Sequence, residues 1–379
     1  MIALPPTSGT GFRPVCSPTL TNKARPPADR SPVRLLLRAD SLLLLMPRRT
    51  VAILVLLLLA LVAVALAHLL TGDAGGGLHW PESPAVFALR LRRLLIAGVV
   101  GGSLALAGVL LQAMLRNPLA SPDLLGVTSG AGLGVAVMAF LASGTSAGWV
   151  GAFVASPLAQ TLGAGLGAAL TLKLVLAWTA RRGGIDVVSL VLVGVVIGMT
   201  CAGLTLLLHH LLPDRGVSAR AWFFGSVNES TPDGLLVLAA AALLVCLAGS
   251  WRLGGAIDAA CLGEDEARSV GVRLGRLRLL LFAASGVLAT FAVVLAGPIG
   301  FVGLIVPHAV RLVLGPRHRP LLLGATLAGA AVLILADGSV SAWPLSRGGR
   351  LPVGVVMAIV GGPCFLVLLR STLRRGGLG

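Results

Sequence analysis

Charge is scarce in this sequence. Only 12% of its 379 residues are charged, about half of the roughly 25% that a soluble domain carries, so a water-exposed globular surface of ordinary composition is excluded. Lysine is reduced to Lys23 and Lys173, and tyrosine is absent. The lysine shortage carries a functional exclusion. A phosphate-binding loop uses glycines to wrap the phosphates and a lysine to reach them, as G-x-x-x-x-G-K-[ST]. Lys23 follows Asn22 and Lys173 follows Leu172, so neither belongs to such a loop and the chain is not itself a P-loop ATPase. The five cysteines, Cys16, Cys201, Cys246, Cys261 and Cys364, stand far apart. No C-x-x-C spacing suggests a zinc site or a redox pair, and they read as small apolar fillers of helices.

What is present is apolar. Hydrophobic residues make up 56% of the chain and the mean hydropathy is +0.96. Apolar stretches recur from Val51 to Arg370, broken by short Arg-, Gly- and Pro-containing pieces. About 20 helical residues cross the hydrocarbon core of a bilayer, and a helix satisfies its own backbone there. The pattern predicts an all-α, polytopic membrane bundle of about ten spans. They run over Val51–Leu70, Leu91–Leu115, Gly126–Leu141, Ala155–Trp178, Val187–Leu208, Leu235–Ser250, Arg276–Ala296, Ile299–Leu314, Leu321–Val340 and Pro352–Leu369. The third, sixth and eighth are expected to be short. Residues 1–45 carry scattered Pro, Arg and Ser without an apolar period and read as a disordered extension, leaving 46–379 as the membrane domain with Met46 as a natural start. The apolar run before Ala65-Leu66-Ala67 is too long for a signal-peptide core, so it reads as a retained span.

The net charge of +16 does not point to nucleic acid, because the arginines sit at span ends without interleaved aromatics or a basic soluble face. About sixteen arginines fall on one side of the predicted topology and seven on the other, which places both termini in the cytoplasm. Glycine is frequent inside the spans. Gly126, Gly130 and Gly134 recur every four residues, as do Gly163 and Gly167, and Gly194 and Gly198, the spacing that lets helix backbones touch in lipid. A faint echo between LALAGVLLQAMLRNPL and VVLAGPIGFVGLIVPH suggests two five-span halves, which an odd number of crossings would invert.

Four ordered segments carry a more specific signal. The first runs from Arg90 to Gly134 and holds Q-x-x-x-R-N-P-L-A-x-P-D-L-L-G. The others are LGEDEARSVGV (Leu262 to Val272), AGPIGFVGLIVPHAVRLVLGPRHR (Ala296 to Arg319) and LPVGVVMAIVGGPCFLVLLR (Leu351 to Arg370). Asn117-Pro118 and Ser121-Pro122 stop a helix twice, since proline lacks the amide proton and restricts its predecessor. Gly297-Pro298 and Pro307 break the later region in the same way. Together these segments resemble the FecCD/BtuC-like permeases, which import ferric siderophores, haem and vitamin B12, over nearly everything after Met46.

The resemblance implies a bacterial inner-membrane subunit acting as a homodimer, or as a heterodimer with a paralogous permease, together with ATPase subunits and an extracytoplasmic substrate-binding protein. It implies no cofactor or metal bound by this chain, ATP and magnesium residing on the ATPase. It also implies site residues. Gly263, Glu264, Asp265, Glu266, Ala267 and Gly271 would form a short cytoplasmic helix coupled to the ATPase, with acids at its dipole-positive start and glycine at its stop. Bulky residues at Glu266 and Ala267 are expected to uncouple it. Arg90 and Arg93 would dock the binding protein, although Arg92 stands where proline is common, Ser341 where some relatives have arginine and Arg350 where an acid is frequent. Gly194, Gly198, Thr200 and Gly203 of the fifth span would line the translocation path.

Other residues raise the question of chemistry of their own: His308, the His209-His210 pair and Asp337 stand in or beside the predicted spans. His308 has no partner at ligand spacing and reads as structural, and His209-His210 stands without a supporting motif. Asp337 is the only carboxylate well inside a predicted span, near its outer end, where a structural partner or an interfacial position is expected. A secondary transporter would need more such groups for its coupling ion. A membrane-embedded enzyme would need converging nucleophile, base or metal ligands, and none stands at usable spacing.

Overall fold

The computed structural model describes residues 47–71, 80–81, 83–144, 149–154, 156–181, 184–185, 187–211, 224–227, 231–342 and 351–376. The extension expected over 1–45, Cys16, Lys23 and Arg350 lie outside the described residues. Among the described residues twelve helices follow one another: α1 (Arg48–Leu70), α2 (Pro84–Leu115), α3 (Val127–Gly144), α4 (Trp149–Val154), α5 (Pro157–Thr179), α6 (Val187–Leu211), α7 (Asp233–Leu262), α8 (Glu264–Ser269), α9 (Leu274–Ala296), α10 (Val302–Leu314), α11 (His318–Ala342) and α12 (Val353–Gly376). A 3₁₀ turn at Pro122–Leu125 precedes α3, and a two-residue antiparallel ladder, Ala180–Arg181 with Gly184–Ile185, joins α5 to α6.

Among the described residues seven helices are long and apolar enough to cross a bilayer, and three more, Val127–Ser143, Val302–Leu314 and Val353–Leu368, are apolar but shorter. All ten coincide with predicted spans. The sixth, expected to be short, is the 30-residue α7. The expected span ended at Ser250, but a helix that leaves the hydrocarbon can carry charged residues such as Arg252 and Asp258 onward for several turns, about 45 Å in all.

The ends of α2 show how the breaks are made. Ser83 caps its start, its Oγ accepting from the Val86 amide at 3.3 Å, and Pro84 occupies the first helical position, where its missing N–H costs nothing. At the other end Arg116 adopts a left-handed conformation. The Asn117 amide then reaches back to the Gln112 carbonyl and the Arg116 amide to Ala113, a pattern that closes the last turn. The Asn117 side chain next accepts from the Leu119 amide at 2.9 Å, and the chain turns into the 3₁₀ segment.

α2 is the axis of the bundle. From Val100 to Met114 every residue is buried, packed against α11 and α9 with α10 and α7 flanking. α1, by contrast, exposes Leu56, Leu58 and Leu59, as a helix facing lipid does. The glycine spacing is realised as backbone contact. A Cβ at Gly134 would fall on the Gly163 carbonyl and one at Gly167 on the Gly130 carbonyl, which seats α3 on α5; the Gly101–Gly329 pair does the same for α2 and α11. Small residues on one stripe permit this approach where every larger side chain forbids it.

Candidate functional site

Three places bring the sequence-predicted residues together. The first is α8, six residues set between the end of α7 and the start of α9. Gly263 separates it from α7, and its Glu264 accepts from Arg268 at 3.1 Å and from Arg278 of α9 at 2.5 Å. The Arg278 guanidinium holds the Glu264 carboxyl below the usual carboxylate range. The far end closes with the Val272 amide on the Ala267 carbonyl and the Gly271 amide on Arg268. Gly271 has φ +82°, the left-handed conformation that a stop of this kind requires and glycine adopts without strain. The helix and its glycine stop thus form where the sequence predicts. One expectation changes: Ala267 is wholly buried, at 0% exposure, because the inner face of so short a helix must rest on the bundle. The outward face is instead Asp265, Glu266, Ser269 and the apolar Leu262 and Val270, which are 81% and 61% exposed.

The second place is α6, where the four predicted path residues divide. Gly194 and Gly198 are packing positions, pressed against the Leu124 carbonyl and the Gly126 backbone. Thr200 is exposed, its hydroxyl donating to the Val196 carbonyl at 2.9 Å, and a Cβ at Gly203 would meet nothing within 4 Å. The difference follows from helical period, since positions four apart share a stripe and Gly194/Gly198 point away from Gly203. On the Gly194/Gly198 side of α6, where that stripe runs on past Gly198, lies a cleft of about 390 Å³, lined by Thr128, Ser129 and Gly132 of α3, Thr205, Leu206 and His209 of α6, and Pro298. Its hydroxyls escape sequence reading because Thr128 and Thr205 come from helices with two others between them in the chain, and nothing local announces that they converge.

The third place is the start of α2. Arg90 donates to the Leu69 carbonyl at the end of α1 at 2.8 Å, a cation where a helix C-terminus favours one. Arg92 donates to the Thr231 carbonyl and pairs with Asp233, which opens α7, at 2.9 Å. Arg93 points into the protein. Its Nε and a terminal nitrogen donate to the two oxygens of Asp337 at 2.6 and 2.8 Å, and His68 Nε2 meets the same carboxylate at 2.9 Å. Asp337 is 0% and Arg93 9% exposed. The structure therefore places Arg93 in a buried ion cluster, where the resemblance had suggested a surface cation, because an acid sunk in an apolar bundle requires a countercharge. Asp337 has the structural partner expected of it. Arg90 remains half-buried at the surface.

Residues 49–371 match the model of the FecCD transport family. The chain belongs to that family. This FecCD protein is 35% identical over 297 residues to the hemin transport system permease protein HmuU of Yersinia pestis, covering 76% of this chain and 84% of the relative. It is also 35% identical over 305 residues to the Fe(3+) dicitrate transport system permease protein FecC of Escherichia coli K12, covering 79% and 86%. A solved metal-chelate type ABC transporter in an inward-facing conformation superposes with a TM-score of 0.72 at 30% identity, over 85% of this chain and 99% of that one. The FecCD chain is accordingly a transport permease and not an enzyme. Among the described residues no three His, Cys, Asp or Glu side chains are grouped to hold a metal ion.

Proposed function

We infer that this FecCD chain is the membrane-spanning subunit of an ATP-driven importer for bulky metal chelates and related macrocycles of the iron-siderophore, haem or cobalamin type. Two copies, or one copy with a paralogous permease, enclose the pathway in the bacterial inner membrane with both termini cytoplasmic. A separate ATPase supplies the energy and an extracytoplasmic binding protein delivers the substrate. The observation that carries this reading is α8, a stub helix fixed to α9 through Glu264 and Arg278 while Leu262, Glu266 and Val270 stand outward. An apolar pair bracketing an acidic first turn has no use on a lipid-facing helix, and it fits a protein partner. Work done on that partner would pass into α7 and α9, which α8 links directly.

Supporting features lie elsewhere. The exposed stripe of α6, interrupted by Thr200 and Gly203, suits a wall shared between copies and a partly polar cargo. Arg90, half-buried at the start of α2, offers positive charge for an acidic partner surface, and surface charges of that kind act mainly on encounter rate.

The test is reconstitution of the chain with its ATPase and binding protein in liposomes, followed by uptake of the chelate that the binding protein retains. Uptake should require ATP inside the ATPase compartment, and Glu266→Trp should lower it while leaving the permease folded. Uptake that persists without the ATPase and collapses with an uncoupler would establish a secondary transporter instead.

A further inference from the structure

At the end of α7 the structure brings together three side chains that the transport reading does not use. Asp258 and Cys261 lie three residues apart on one face of α7, and His318 opens α11. Asp258 Oδ1 accepts from the His318 backbone amide at 3.0 Å and stands 2.6 Å from its Nδ1. An ionised carboxylate can only accept, so Nδ1 carries the proton and the imidazole is fixed in one tautomer. The other nitrogen, Nε2, faces Cys261 Sγ at 3.9 Å, and the thiol also reaches the Ala113 carbonyl of α2 at 3.8 Å. The imidazole is buried, whereas the thiol and the carboxylate are partly open. The half-buried Arg311 guanidinium of α10 lies within electrostatic reach of the sulfur.

We propose that Cys261 is a thiol–disulfide exchange site for low-molecular-weight disulfides, with His318 as its base and Asp258 as the positioning residue. An acid that orients an imidazole, and an imidazole that accepts a proton from a nucleophile, is the arrangement that activates thiols generally, and reactive cysteines sit in partly open, electropositive surroundings. In the step, the Cys261 proton passes to His318 Nε2 as Sγ attacks one sulfur of the disulfide. A bond forms between Sγ and that sulfur, the disulfide bond breaks, and its electron pair leaves on the second sulfur, which takes the proton. The products are a mixed disulfide on Cys261 and one free small thiol, and excess thiol reverses the reaction. Metal binding is the poorer reading, because Asp258 is occupied by Nδ1 and leaves only two donors facing each other.

Cys261 lies two residues before Gly263, the junction with α8. On the reading of α8 given above, a mixed disulfide there obstructs the ATPase contact and lowers hydrolysis by the complex. The exchange itself does not depend on that reading.

The experiment uses the full chain in lipid nanodiscs, with both faces open to buffer, and oxidised glutathione as the probe. Acid-quenched samples are digested and the Cys261 peptide is quantified by mass across a pH series. Cys261 should react roughly 100-fold faster in the parent chain than in His318→Gln, the scale of general-base assistance. Asp258→Asn should slow it and shift its pH profile, and Asp258→Glu should restore both. Equal rates in the parent chain and His318→Gln would overturn the proposal. So would a Cys261 rate no faster than that of the exposed Cys364 in the same sample, a comparison that needs no variant to fold. In the ATPase complex, hydrolysis should fall on treatment and recover with excess thiol, and Cys261→Ser should be immune. Rapid thiolation with unchanged hydrolysis would leave the site standing and refute its consequence for coupling.

Discussion

Replacing Asp337 with alanine should destabilise the permease by about 3–5 kcal/mol, the cost of leaving a buried charge without its partner. The carboxylate is fully buried and receives two guanidinium N–H groups and one imidazole nitrogen, so none of its interactions is replaced by water. Arg93 keeps 11% of its side chain exposed and lies in the third turn of α2. Partial snorkelling toward the headgroups is therefore open to it, which places the expected loss near the lower end, about 3 kcal/mol. Removing both charges as Arg93→Met with Asp337→Leu should recover most of that, because a well-packed apolar pair substitutes for a buried ion pair at little net cost. His68→Ala should cost less, on the order of 1–2 kcal/mol, since Arg93 still satisfies the acid. Thermal unfolding in detergent, followed by tryptophan fluorescence, ranks the four proteins. If Asp337→Ala unfolded at the parental temperature, or the double replacement were worse than either single change, the cluster would not hold α1, α2 and α11 together.

Further outcomes follow from the same geometry. Ala267→Leu should lose about 1–3 kcal/mol by overpacking and disturb the permease itself, whereas Glu266→Trp on the exposed face should leave the unfolding temperature unchanged; parallel melting curves separate them. Thr200→Cys should react with a water-soluble thiol reagent or cross-link two copies during turnover, while Gly198→Cys, pressed against Gly126, should stay protected or impair assembly. Gly134→Ala should force α3 from α5 and cost about 1–3 kcal/mol, readable as a lowered melting temperature. Because Arg278 holds the Glu264 carboxyl below its ordinary range, that contribution to α8 is fully present above the unfolded value of about 4.3 and is lost as pH falls through the lower folded value. A spin label at Val270→Cys should stay ordered at pH 6 and loosen in stronger acid, and Glu264→Gln should abolish that pH dependence.

The helices were legible because each is an apolar run of the length a bilayer imposes, and the breaks were legible because Pro118, Pro122 and Gly297 leave the backbone no alternative. The helix contacts were legible too, since the four-residue glycine spacing of α3 and α5 encodes a backbone-to-backbone fit. What escaped depends on distant partners. Asp337 and Arg93 are 244 residues apart, and no local pattern says that the arginine turns inward while Arg90 and Arg92 cap neighbouring helices. Ala267 within α8 looked like one more position on a docking helix, and only the packing of that helix on the bundle shows which face is spent. Cys261 read as an apolar filler, and nothing local pairs it with His318, 57 residues away.

The bare glycine contacts also constrain how such a molecule can move. Where carbonyl rests on Cα there is no side chain to change rotamer, so sliding α3 along α5, or α2 along α11, meets steric walls within a fraction of a turn. Those pairs behave as rigid slabs. Deformation is expected where the helical ladder is already interrupted, at Arg116 to Gly126, which connects the α2–α11 slab to the α3–α5 slab, and at Gly297 to Phe301, which joins α9 to α10; both segments carry residues of positive φ. The permease is thus built less like a flexible bundle than like plates joined along two creases, and the creases border the cleft beside α6.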